Sequence, residues 1–103
     1  MPQFLCHTTA VSENKALRID LDNRPPVAVF NIGGTFHVTD DTCTHEEASL
    51  STGEFEDGIV ECPLHAGCFD VATGEAVEPP AETPLRTYPV TIINGEIYVE
   101  FGD

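Results

Sequence analysis

Cys43-Thr44-His45, then sixteen residues, then Cys62-Pro63-Leu64-His65, is the stretch on which the reading of this chain turns. Two thiols and two imidazoles fall in two short clusters, and each cluster mixes the two ligand types. A Cys2His2 zinc site groups Cys with Cys and His with His, so that each pair closes one side of a tetrahedron around a single ion. Mixed pairs suit a centre of two metal ions that both loops span, one iron held by two thiolates and the other by two imidazoles. Cys43, His45, Cys62 and His65 are therefore the candidate ligands of a [2Fe-2S] centre. Spacing alone leaves two alternatives open: a structural zinc ion, and unligated thiols with surface imidazoles. The intervening residues suffice for a hairpin that returns one loop beside the other.

Outward from these loops the chain reads as strands. Short alternating or β-branched runs are punctuated by Gly, Pro, Asn and Asp, and no helical period lasts beyond two turns. Phe4 to Thr8 is expected as a first strand, with a polar turn through Ser12-Glu13-Asn14. Ala16 to Leu21 alternates, Leu17, Ile19 and Leu21 on one face and Arg18 and Asp20 on the other, and Asn23-Arg24-Pro25-Pro26 is expected to break it. Val27 to Ile32, Gly33-Gly34, and Thr35 to Thr39 make a hairpin, because paired glycines supply the positive φ of tight turns that match strand twist. His37 is expected on its solvated face. Glu46 to Leu50 is expected to form one helical turn, and Gly53 and Gly58 to mark turns around the strand Ile59-Val60-Glu61. Phe69 and Val71 are expected to point inward, with Gly67 and Gly74 allowing close packing and turning. Glu78-Pro79-Pro80 through Pro84 reads as an extended connection. Arg86 to Ile93, Asn94-Gly95 and Glu96 to Phe101 form a last hairpin, with Val90, Ile92, Ile97, Val99 and Phe101 flooring the sheet that carries the ligand loops. The expectation is an all-β chain with residues 1–103 as a single domain.

Charge narrows the partners. Eighteen acids face only four strong bases, Lys15, Arg18, Arg24 and Arg86, for a formal net charge of −14. From Asp40 to Glu82 there are twelve acids and no Lys or Arg. Such a one-signed field repels nucleic acid and anionic membrane surfaces. It suits steered, short-lived encounters with basic partner surfaces, although solubility alone also favours it. No run approaches the roughly 20 apolar residues of a membrane span, and the start, Met1-Pro2-Gln3-Phe4, has no basic region ahead of an apolar one and no twin arginine. A cytoplasmic location is expected, where cysteines serve metals rather than disulfides. A chain of 103 residues has room for a modest core and little for an enzyme pocket. Nor does it offer a second ligand set for the mononuclear iron that oxygen activation needs.

Cys43-Thr44-His45 with Cys62-Pro63-Leu64-His65-Ala66-Gly67, followed by Phe69-Asp70-Val71-Ala72-Thr73-Gly74, resembles the Rieske family. Over its whole length the chain looks like the small ferredoxins of bacterial aromatic-ring-hydroxylating dioxygenases. The resemblance implies a Rieske fold, antiparallel β-sandwich-like sheets with a small subdomain of two cluster-binding loops. It implies one Rieske-type [2Fe-2S] cluster, the buried iron on Cys43 and Cys62 and the outer iron on His45 and His65, with the imidazoles at the surface as the exit for the electron. It implies a non-catalytic, monomeric electron carrier between a flavoprotein ferredoxin reductase that oxidises NADH and a terminal Rieske oxygenase. The same family contains small subunits of assimilatory nitrite reductases, which would dock permanently; a zinc-stabilised module is the third reading.

High-potential relatives carry a Ser and a Tyr that donate to sulfur, and a disulfide between the loops. At the matching positions this chain has Gly67 and Phe69, and Ala48 and Leu64. A potential near the low end of the Rieske range, which starts at about −150 mV, is therefore expected. Cys6, beside His7, reads as a half-buried strand residue. Cys68 departs from the family pattern, and a Cys6–Cys68 disulfide is not expected in a reducing cytosol.

Overall fold

The computed structural model describes residues 2–22, 24–44, 48–64, 67–79 and 81–101. Eleven strands are formed among them: β1 (Gln3–His7), β2 (Ala16–Leu21), β3 (Arg24–Ile32), β4 (Thr35–Asp40), β5 (Phe55–Glu56), β6 (Ile59–Glu61), β7 (Cys68–Asp70), β8 (Ala76–Glu78), β9 (Thr87–Tyr88), β10 (Val90–Ile93) and β11 (Glu96–Val99). Their antiparallel pairings give three sheets, ordered β1-β11-β10, β2-β3-β4-β9 and β5-β6-β7-β8. Thr8–Ala10 and Leu50–Thr52 are single 3-10 turns.

The middle sheet organises the rest because β3 is buried on both faces. Val27, Ala28, Val29 and Phe30 are all fully buried. Since neighbouring residues of a strand point oppositely, Val27 and Val29 enter one core with Leu5, Val38, Ile97 and Val99, while Ala28 and Phe30 enter another with Leu50, Val60, Phe69 and Val71. The first core joins the middle sheet to β1-β11-β10, and the second joins it to the small sheet that bears the ligand loops. Burying Phe30, Phe69 or Leu50 contributes on the order of 2–3 kcal/mol each. Leu17, Ile19 and Leu21 pack on the first core, as their alternation predicts.

The Gly33-Gly34 turn forms as expected, with φ of +56° and +94°, and pairs Ile32 with Thr35. Phe69 and Val71 point inward, both fully buried. Several expectations need correction. Arg24, Pro25 and Pro26 do not end a strand but begin β3. The β2–β3 ladder shifts register between Ile19 and Leu21, so the prolines need no donor there, and Pro26 serves through its carbonyl, which accepts the Asp41 N–H. The first strand stops at His7 rather than Thr8. The last hairpin is interrupted at Pro89: Thr87–Tyr88 pairs with β4, and only Val90–Ile93 pairs with β11. Ile97 and Val99 are buried but Ile92 is 46 % exposed, because β10 is the edge of its sheet; this hairpin supports β3 and β4 and not the loop-bearing sheet. The proline segment is not simply extended. Ala81 donates its N–H to Glu78 across a turn, and Ala81 and Leu85 are buried in the second core. The helical turn expected over Glu46–Leu50 falls partly on Glu46 and Glu47, outside the described residues; the 3-10 turn starts at Leu50.

Candidate metal centre

The two ligand loops leave the β-framework in the same way. Thr42 bridges Ser49, and the Cys43 N–H donates to the Ala48 carbonyl at 3.0 Å. Glu61 pairs with Cys68, and the Cys62 N–H donates to the Gly67 carbonyl at 2.7 Å. In each loop the cysteine donates its amide to the residue five positions on, so two six-residue loops are closed at equivalent points. Both cysteines are buried, Cys43 to 4 % exposure and Cys62 to 1 %, in the core of Leu50, Val60 and Phe69. His45 and His65 lie outside the described residues. The structure thus places two of the four candidate ligands, the thiols, in one apolar core at the bases of equivalent loops.

Residues beside the candidate ligands hold these loops. Asp41 is buried beneath the first loop; its Oδ1 accepts the Ser51 N–H at 2.9 Å and its Oδ2 accepts the Ser49 hydroxyl. The Thr44 hydroxyl donates to the Thr83 carbonyl at 2.7 Å, tying the first loop to the proline segment. Gly53 is extended, with φ −86° and ψ −178°, so its role is not a turn: a Cβ there would collide with the Glu61 carbonyl, one residue before Cys62. Gly74 (φ +82°) faces the Leu85 carbonyl almost as closely. Only the glycines carried a sequence signal; Asp41 was counted merely as one of the acids.

The acidic field is correspondingly trimmed. Asp41 is buried, and Asp40 is bound by Arg24 at 3.0 Å and by the Tyr88 hydroxyl at 2.6 Å. Glu54, Glu56, Asp57, Glu75, Glu78 and Glu82 are exposed. Glu54 and Glu61 line, with Pro63 and Leu64, an open cleft of about 510 Å³ beside the second loop. Leu64 is 64 % exposed.

The remaining cysteines fit the quieter reading. None of the four forms a disulfide. Cys6 is buried in the first core, and burial pushes its thiol up. Cys68 is half-buried, and burial, then the carboxylates of Glu61 and Glu78, push its thiol up as well. Both shifts disfavour the reactive thiolate. His37 is half-buried opposite Phe30 rather than fully solvated.

Two buried thiols at the bases of matched loops, each loop also carrying one histidine in its sequence, form the soft and borderline donor set of a mixed-ligand iron–sulfur centre. Residues 1–89 match the Rieske [2Fe-2S] domain. The chain belongs to the Rieske family. As in that family, its cofactor is one Rieske-type [2Fe-2S] cluster, which excludes the zinc-module reading. This Rieske chain is 46% identical over 101 residues to the 3-phenylpropionate/cinnamic acid dioxygenase ferredoxin subunit of Escherichia coli (strain K12), covering 97% of this chain and 93% of that one. It is 46% identical over 99 residues to the ferredoxin component of the p-cumate 2,3-dioxygenase system of Pseudomonas putida, covering 95% and 84%. A chain of the solved complex of reduced oxygenase and oxidized ferredoxin in carbazole 1,9a-dioxygenase superposes with a TM-score of 0.91 at 36% identity, covering 95% of this chain and 91% of that one. A chain described as an NADH-dependent nitrite reductase small subunit from Mycobacterium tuberculosis superposes with a TM-score of 0.82 at 20% identity, covering 96% and 93%, a likeness of fold alone.

Proposed function

We propose that this chain is the one-electron carrier of an aromatic-ring-hydroxylating dioxygenase system, taking electrons from an NADH-oxidising flavoprotein reductase and delivering them to a terminal Rieske oxygenase. Cys43 and Cys62 hold the inner iron, His45 and His65 the outer one, and residues 1–103 form a single, monomeric, cytoplasmic domain. When bound, the cluster supplies a couple that gains and loses one electron. The observation that carries the reading is the pair of equivalent loops with buried cysteines, in a chain 46% identical to two ferredoxin components of different dioxygenase systems. The substrate belongs to the oxygenase and leaves no trace in this chain.

The protein's own residues do three things. The neck hydrogen bonds Cys43 N–H to Ala48 and Cys62 N–H to Gly67 set both thiols at equivalent points of their loops. Leu50, Val60 and Phe69 keep water from the thiols' inner side; low exposure strengthens every charge effect on them. The exposed carboxylates, Glu54, Glu56 and Asp57 among them, steer encounter with basic partner surfaces and leave the complex able to separate. No helix among the described residues is long and apolar enough to cross a membrane.

The test is low-temperature EPR and voltammetry of the purified holoprotein, followed by turnover with a dioxygenase reductase and oxygenase pair. Expected are the reduced-state EPR spectrum of a mixed His/Cys-ligated cluster, a potential toward the low end of the Rieske range, and NADH-dependent product formation that falls as salt is raised. A clearly positive potential at pH 7 would remove the carrier reading. Stable co-purification with a large haem enzyme would shift it to the nitrite reductase subunit.

A further inference from the structure

We propose that Asp41 is the positioning residue of the first ligand loop: its buried carboxylate shapes the loop's neck and, as a fixed negative charge, holds the reduction potential down. The inference rests on the proposed assignment of Cys43 and His45 as ligands. Five connections converge on this one residue. Its N–H donates to the Pro26 carbonyl at 3.1 Å, and its carbonyl accepts the Leu50 N–H at 2.7 Å. Oδ1 accepts the Ser51 N–H at 2.9 Å, and Oδ2 accepts the Ser49 hydroxyl. Arg18 of β2 brings Nη1 to 3.9 Å from Oδ2. Asp41 therefore joins one side of the neck to residues 49, 50 and 51 on the other and to β3 behind it. The Thr42–Ser49 bridge and the Cys43 N–H bond to Ala48 lie next to those contacts along both sides of the neck.

A neck needs hydrogen bonds, but it does not need a charge. A buried carboxylate is costly to desolvate, and hydrogen bonds offset that cost without cancelling the charge. The one cation in reach among the described residues is a poor counterion. Arg18 is half exposed, and its Nε is bound to Asp20 at 2.9 Å, so solvent and a second carboxylate already draw on it. The charge of Asp41 is thus held in a nearly dry position, 1 % exposed, two residues before Cys43. Reduction adds one electron to the same neighbourhood. A fixed negative charge raises the cost of that electron, and net local charge is one of the determinants of iron–sulfur potentials.

The experiment compares the holoprotein with its Asp41→Asn and Arg18→Gln variants by voltammetry, EPR and thermal melting. Asn keeps the shape and one carbonyl oxygen for the Ser51 N–H, while the Ser49 hydroxyl can turn to Ser51 Oγ, already 3.1 Å away. Expected for Asp41→Asn is a potential shifted positive with the EPR signature of the cluster retained. Expected for Arg18→Gln, which leaves the four hydrogen bonds of Asp41 in place, is a smaller shift of opposite sign, since it removes a weak counterion from the same carboxylate. An unchanged potential in a cluster-bearing Asp41→Asn protein overturns the inference. If that variant does not retain its cluster, an unchanged potential in Arg18→Gln overturns it instead. Failure of the ligand assignment shows separately, as a wild-type EPR spectrum that is not of the Rieske kind.

Discussion

Packed around Val27, Val29, Val38, Ile97 and Val99, the core beneath β1-β11-β10 contains neither candidate thiol ligand, whereas the core beneath the ligand loops counts Cys43 and Cys62 among its buried side chains. The two regions differ in strand length and in charge. The first has strands of four to nine residues apart from the two-residue β9, and all four strong bases of the chain lie in the segments that build or flank it. The second has strands of two or three residues, and the stretch from Asp40 to Glu82 has twelve acids and no base. Short strands bring few ladder bonds, and like charges repel. One half can therefore stand on its own packing, while the other depends on what its cysteines bind.

The largest effect that would break this comparison comes from removing the cluster. Cys62→Ser is expected to abolish cluster binding and to unfold the loop-bearing sheet while leaving the other two formed, because metal-site binding energy is folding energy where the site is the core. Hydrogen exchange on the full chain is the measurement. Amides of β6 and β7 should lose protection and those of β3, β4 and β11 retain it. Uniform protection, or uniform loss, would mean that Phe30, which packs into the loop core from the central strand, binds both halves into one cooperative unit.

Smaller in effect is Gly53→Ala. Backbone conformation permits alanine there, since φ is −86°; the objection is the Glu61 carbonyl, which occupies the Cβ position. Because the obstacle is backbone in the strand that leads into Cys62, β6 must move. A loss of roughly 2–3 kcal/mol is expected, together with an altered EPR line shape, as denaturant unfolding followed by visible absorption would show. A stability loss with the spectrum unchanged would separate packing from ligand geometry and sharpen the contrast between the halves.

What was legible from the sequence follows from what is local. The Gly33-Gly34 hairpin, the alternation of Leu17, Ile19 and Leu21, and the mixed Cys-His pairs are each specified within a few residues, and the fold and family follow from them. The misreadings share a different cause. Pro25 and Pro26 look like a strand break until β2 shifts register opposite them. Pro89 splits a strand because Tyr88 is claimed by β4, fifty residues earlier. Ala81 and Leu85 look like linker residues until their burial under the ligand loops is known. Asp41 and Asp40 look alike in the sequence, and only the Ser49, Ser51 and Leu50 contacts make the first a buried neck, and the Arg24 contact the second an ion-pair partner.

The smallest test lies in the scaffold half, where Tyr88 donates its hydroxyl to Asp40 and accepts from Arg24 at 3.1 Å, while the guanidinium stacks 4.1 Å from the centre of the Phe101 ring. Burial first, then the hydrogen bond to Asp40, pushes the Tyr88 hydroxyl above its ordinary value, about 10. A raised value means that the folded chain holds this proton more tightly than the unfolded one. The resulting stability is present in full below about pH 10 and is lost as pH rises through the folded value. Tyr88→Phe is expected to lower stability by about 1 kcal/mol at pH 7. It should also flatten the decline above pH 10, leaving the parts due to Cys6, Cys68 and Tyr98, whose ionisations are raised as well. Melting temperatures of both proteins between pH 8 and 11 provide the check. Because the hydroxyl of Tyr88 is bound to Asp40 and Arg24 and not to the described residues of either ligand loop, its replacement should leave the reduction potential where it was; a shift would show that the Asp40–Arg24 pair transmits charge from the scaffold to the neighbouring Asp41, and that the two halves are electrically less separate than their packing.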